Sequence, residues 1–125
     1  YKRQGQGDAL LGGLGASLPV QVCHDQSVLR LLDGARLLAS SDRDAHQAFV
    51  VGENAWGLQF HPEFAAATVA ICIEESRKIL VQQGSDPDHL LASCVDTPIG
   101  PQVLRRFASI VVRGTGWGGY EHDFI

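Results

Sequence analysis

The alternation of apolar and polar positions divides the chain into a stretch of strands followed by a stretch of helices. Residues 1–18 are rich in glycine (Gly5, Gly7, Gly12, Gly13, Gly15) and read as a loop with one turn around Leu10-Leu11. From Pro19 to His24 apolar and polar residues alternate with period two, the pattern of a half-buried strand. Leu29–Leu32 is a short apolar run closed by the turn signal Asp33-Gly34. Further strands are expected at Arg36–Ser40, Gln47–Val51 and Ala55–Phe60, the last two joined by the hairpin-length connection Gly52-Glu53-Asn54. Beyond Phe60 the period becomes helical. Over residues 63–83 Val69, Cys72, Ile73, Ser76 and Leu80 share one side, with Glu74, Glu75, Arg77 and Lys78 largely off it. Gly84 stands where a glycine would end that helix. Asp86-Pro87 and Thr97-Pro98 each place a capping residue before a proline at the first helical position. The last helix, about 98–112, carries Val103, Leu104, Phe107 and Val111 on one side. The tail Gly114–Ile125 reads as a flexible, poorly packed end. No segment repeats.

Composition narrows the function classes. A chain of 125 residues, 45% hydrophobic and 19% charged, is a globular balance sufficient for one core. The net charge of −4 has both signs interspersed, which argues against a nucleic-acid partner, since phosphate binding needs a concentrated basic face. The basic pair Arg105-Arg106 reads as the solvated side of a helix. No run approaches the roughly 20 apolar residues of a membrane span, and no secretory leader pattern opens the chain; no membrane is expected. Three widely spaced cysteines, Cys23, Cys72 and Cys94, form no CxxC and no disulfide framework, so a cytoplasmic location is expected. The sequence has no methionine, so Tyr1 is not expected to be the natural start of translation.

The segment with the most chemistry is Ala55-Trp56-Gly57-Leu58-Gln59-Phe60-His61-Pro62-Glu63-Phe64. A strand runs into His61, Pro62 stops it, and Glu63 is expected to open a helix. An imidazole and a carboxylate then meet at the C-terminal end of a strand, where ligands gather in α/β folds. The carboxylate can accept from one ring nitrogen and leave the other as a base for a nucleophile. Taken alone, a His-x-Glu is more often a strand end beside a surface carboxylate. A metal site from Cys23, His24, His46 and His61 is possible by ligand type, but adjacent Cys23 and His24 point to opposite faces of a strand; no metal and no cofactor are expected.

Gly57-Leu58-Gln59-Phe60-His61-Pro62-Glu63 closely resembles the active-site motif of class I glutamine amidotransferases, which use a Cys-His-Glu triad. The resemblance extends to Pro19–Val28, to Asp33–Ser41, to His46-Gln47-Ala48-Phe49 and, through Leu104-Arg105-Arg106-Phe107, to the C-terminal extension of a bacterial subgroup related to the amidotransferase domain of GMP synthase. It covers about residues 8–113. It implies an α/β fold: a partial flavodoxin-like class I glutamine amidotransferase domain, with residues 1–84 its C-terminal half, 85–113 a helical extension packed on it, and 114–125 a tail. It implies His61 as general base, Glu63 as its orienting group, and Asp25 and Gln26 as contacts for the substrate. In the family a cysteine on a Gly-x-Cys-x-Gly-like turn attacks the glutamine amide, ammonia leaves, and a thioester is hydrolysed. That turn is absent here, and neither Cys23, Cys72 nor Cys94 replaces it, so the isolated chain is expected to be inactive. The implied partners are glutamine or another γ-glutamyl compound and a synthetase domain or subunit receiving ammonia. A γ-glutamyl peptide hydrolase and a non-catalytic relative acting as an interaction subunit are the alternatives.

Overall fold

The computed structural model of the protein describes the backbone of Lys2–Arg3 and residues 7–114. Four strands, β1 (Lys2–Arg3), β2 (Ala35–Ser40), β3 (Ala48–Val51) and β4 (Ala55–Leu58), form one antiparallel sheet in chain order. Four helices follow: α1 (Ala66–Glu75), α2 (Arg77–Gln82), α3 (Pro87–Ala92) and α4 (Ile99–Gly114). This is an α/β chain with an antiparallel meander, and the expectation for the tail lies, past Gly114, outside the described residues.

Local sequence accounts for the sheet. In β3, Ala48 and Val50 are fully buried and Phe49 and Val51 half-buried, the alternation a pleated strand imposes. In β2 the register shifts between Leu37 and Ala39, which lets the adjacent Leu38 and Ala39 both enter the core. Across β3 and β4, Phe49 pairs with Gly57, and a Cβ at position 57 would run into the Phe49 ring. Glycine there lets the ring lie on the neighbouring strand, while Trp56 and Leu58 pack against the core from the same strand. Gly52, at φ +62°, turns the hairpin.

The core joins Leu10, Leu11, Leu38, Ala39, Ala48, Val50, Phe60 and Val103, so the N-terminal turn, the sheet and α4 bury one another. Each large side chain removed from water contributes roughly 1.5–3 kcal/mol. Asp8 fixes the N-terminal turn. Its Oδ1 accepts from Leu10 N and Leu11 N at 2.9 Å, and its Oδ2 from the Trp56 indole at 3.1 Å. Arg106 donates to the Leu10 and Gly12 carbonyls, so it clamps α4 to that turn instead of facing solvent with Arg105. The inward stripe of α4 is accordingly Ile99, Gly100, Val103 and Ile110, whereas Leu104, Phe107 and Val111 stay more than two-fifths exposed.

Three boundaries differ from the sequence reading. The 63–83 helix is two helices, broken at Ser76, where φ −93° and ψ 3° leave the helical region. The stripe of Val69, Cys72, Ile73, Ser76 and Leu80 nevertheless stays on the more covered side. Pro62-Glu63 form a turn, and α1 begins only at Ala66, whose N–H is taken by Asp96 Oδ1 at 2.9 Å. Pro19–His24 forms no strand among the described residues. Its alternation is present, but a strand requires a second backbone to pair with; here Gln21 O accepts from His61 N at 2.8 Å, and the Gln21 side chain is buried against Val95 O. The helix endings follow the sequence: Gly84, at φ +79°, closes α2, and the Asp86 carboxylate accepts from Asp88 N and His89 N to cap α3.

α1, α2 and α3 pack on one another. Between them and the 22–27 and 41–47 segments lies a cavity of about 700 Å³. α4 meets the meander where Gly100 abuts Pro62, and a Cβ at position 100 would collide with the Pro62 carbonyl. Gly100→Ala is therefore expected to destabilise the protein by about 1–3 kcal/mol, measured by urea denaturation, whereas Gly114→Ala, with open space around it, leaves the midpoint unchanged or slightly raised.

Candidate active site

His61 sits where β4 leaves the sheet, held on both sides in sequence. Phe60 before it is 4% exposed in the core, and Pro62 after it lies against Gly100. The backbone of His61 donates to Gln21 O, and Phe64 N closes the following turn on His61 O at 3.2 Å. The imidazole stacks on the Phe64 ring, 4.1 Å between centroids and 11° between planes. With peptide and ring face both fixed, the two ring nitrogens have set directions.

His61 Nδ1 lies 2.8 Å from Glu63 Oε1, and Nε2 lies 3.1 Å from the Cys23 carbonyl oxygen. Both partners are acceptors, so both contacts are hydrogen bonds only when the ring carries two protons. In the neutral ring a proton on Nδ1 keeps the bond to the carboxylate and leaves the Nε2 lone pair facing the Cys23 carbonyl oxygen. The hydrogen bond from His61 draws the Glu63 carboxyl below its ordinary range, against a smaller opposing effect of burial. The pair is half-open to water, its side chains 32% and 54% exposed. At such exposure an ion pair stabilises a fold by only about 0.2–1 kcal/mol, so the pair adds little to stability.

A second network supports the loop opposite the imidazole. Asp44, 7% exposed, accepts from His46 N at 3.0 Å and from Gln59 Nε2 at 2.8 Å, hydrogen-bonds Ser27, and has His24 Nε2 at 4.0 Å. Burial alone would raise its pKa, but these bonds from Ser27, His46 and Gln59, with His24 nearby, bring the carboxyl below its usual value. Gln59 also accepts from Val28 N, and His46 Nδ1 lies 2.6 Å from Val28 O. The loop from His24 to Val28 is thereby tied to the strand end that carries His61. Sequence reasoning missed Asp44 and Gln59. Gln59 stood in the motif as a strand residue, and Asp44 lies in the polar run Ser41–Asp44, where nothing distinguishes it from a solvated turn.

Of the four site residues read from the sequence, His61 and Glu63 are in contact. Asp25 and Gln26 are exposed on the 24–28 loop; Asp25 lines the cavity together with Cys23, His24 and Asp44. Among the described residues no helix is long and apolar enough to cross a membrane.

The chain is similar to class I glutamine amidotransferases. The likeness is to the GMP synthases in particular: over 57 residues it is 39% identical to the glutamine-hydrolyzing GMP synthase of two strains of Porphyromonas gingivalis, and over 57 residues 42% identical to a subunit of the glutamine-hydrolyzing GMP synthase of Sulfolobus acidocaldarius. The matched stretch is 45% of this chain, but only 11% of the Porphyromonas proteins and 30% of the Sulfolobus subunit. No protein-family model matches the sequence.

A carboxylate with a depressed pKa stabilises the fold above its unfolded-state pKa, and that contribution disappears as pH falls through the lower folded-state value. Asp44→Ala, which strands several donors, is expected to cost about 2 kcal/mol at neutral pH. The difference from the native protein should shrink as pH drops below about 4, measured by denaturant titration across pH. Glu63→Gln should change stability by less than about 1 kcal/mol over the same range.

Proposed function

We propose that His61 and Glu63 are the general base and orienting carboxylate of a Cys-His-Glu triad that releases ammonia from the glutamine side-chain amide. The reading rests on one observation above all: the 2.8 Å contact of His61 Nδ1 with Glu63, in a segment that resembles the family's motif. The thiol comes from polypeptide outside these 125 residues, within a flavodoxin-like domain whose further strands pair beside the 19–24 segment. Residues 1–84 are then its C-terminal half and 85–113 the extension. The presence of Val103 in one core with Phe60 and the packing of α3 on α1 and α2 support treating these as one body.

In this reaction the thiol gives its proton to His61 Nε2, and the thiolate attacks the amide carbon. The imidazolium, stabilised by Glu63, returns that proton to the departing nitrogen, and ammonia leaves a thioester. The neutral ring then takes a proton from water as it attacks, and glutamate and free thiol are released. Asp25 and Gln26 contact the substrate from the loop after Cys23. A synthetase domain or subunit is the acceptor of the ammonia, as the names of the similar GMP synthases suggest, and the three unpaired thiols agree with a cytoplasmic site.

The test is ammonia release by the chain assembled with the thiol-bearing segment, against glutamine and a panel of γ-glutamyl peptides. His61→Ala should lower kcat about 10³-fold or more, and Glu63→Gln about 10²-fold or more, with KM for glutamine little changed. The 125 residues alone should release none. Full activity in His61→Ala would refute the assignment, and a preference for the peptides over glutamine would move it to γ-glutamyl hydrolysis.

A further inference from the structure

Cys23 and Cys72 are the two cysteines that line the cavity between the 22–27 segment and α1, and both are free thiols. They come from segments 49 positions apart, yet both face the same cavity, and the Cys72 thiol is near enough to bear on the Cys23 thiol. Cys94 lies elsewhere, its thiol donating to Leu90 O at 3.4 Å on α3. The backbone of Cys23 is also the group that faces the imidazole, since its carbonyl oxygen lies 3.1 Å from His61 Nε2. One residue therefore shares a cavity with a second thiol and touches the imidazole.

We propose that Cys23 and Cys72 are an oxidisable pair that closes to a disulfide, and that closure locks the Cys23 carbonyl over His61 Nε2. The disulfide stands on the thiol geometry alone; its consequence for the base rests on the amidotransferase reading. A bond of about 2.05 Å requires the sulfurs to approach each other across the cavity wall they share. Because Cys72 is held in the helix, whose neighbour Val69 is buried, the exposed Cys23 side chain supplies the movement by rotating about its Cα–Cβ bond, its carbonyl staying beside His61. With a peroxide as oxidant, the Cys23 thiolate attacks one oxygen, giving a sulfenic acid and, after protonation, water. The Cys72 sulfur then attacks the sulfenic sulfur and displaces a second water. Two thiols and one peroxide become one disulfide and two waters, the two electrons passing from sulfur to oxygen. Burial and the neighbouring Cys72 thiol and Asp25 carboxylate hold the Cys23 thiol above its ordinary pKa, so the reaction accelerates with rising pH, close to tenfold per unit while the thiol remains mostly protonated.

The experiment treats the purified protein with stoichiometric hydrogen peroxide at pH 7, 8 and 9, then maps its peptides without reduction. The expected product is 2 Da lighter with one cross-linked peptide pair containing Cys23 and Cys72, absent in Cys72→Ser and retained in Cys94→Ser. Cross-links through Cys94, or sulfinic acid at Cys23 without a cross-link, overturn the pair. Carbethoxylation of His61 by diethyl pyrocarbonate, followed in the same maps, should slow at least threefold in the oxidised protein and not in oxidant-treated Cys72→Ser. An unchanged or faster rate overturns the lock while leaving the disulfide intact. Neither readout uses ammonia release, so failure here is distinguishable from failure of the triad.

Discussion

Phe60 enters the apolar core and Pro62 abuts Gly100 of α4, so the peptide that carries His61 has little room to turn. That restraint gives the imidazole–carboxylate pair a geometry. A half-exposed histidine would otherwise sample several rotamers, and an ion pair at this exposure is too weak to select one. Core packing supplies the rigidity, and the pair uses it. The same arrangement explains why the N-terminal turn matters to a site distant in sequence: Leu10 and Leu11 pack in the cluster with Phe60 and Val103, and Arg106 ties α4 to that turn.

The loop facing the base is held by polar contacts instead. Asp44 gathers Ser27, His46 and Gln59, and Gln59 passes the constraint to Val28. Its cohesion depends on a charged carboxylate, whereas that of the strand end depends on apolar burial. Acid and apolar cavity mutations should therefore loosen different halves of the site. Cys23 lies between the two, its carbonyl toward His61 and its thiol toward α1.

Much of this was legible in the sequence, and the parts that were not share a cause. The hairpin of β3 and β4, the glycine stop at Gly84 and the Asp86 cap are local features, set by residues within a few positions of one another, and they occur where the pattern places them. The contact of His61 with Glu63 spans two residues and was legible for the same reason. What misled was whatever needed a distant partner. Pro19–His24 has a strand's alternation but no paired strand among the described residues, Arg106 looked solvated until the 10–12 turn came under it, and Asp44 looked like loop until Gln59 reached it. The helix over 63–83 divides at Ser76, beside Arg77, whose guanidinium reaches both Glu74 and Asp88 of α3; a single-helix periodicity carries no sign of that cross-link.

The central claim is that Glu63 fixes which nitrogen of His61 keeps its proton. The ¹⁵N chemical shifts of the imidazole, recorded at a pH where the ring is neutral, report this directly. The account predicts a protonated Nδ1 and an unprotonated Nε2, with the preference lost in Glu63→Gln. A proton on Nε2 in the native protein, or a tautomer indifferent to Glu63, would contradict it.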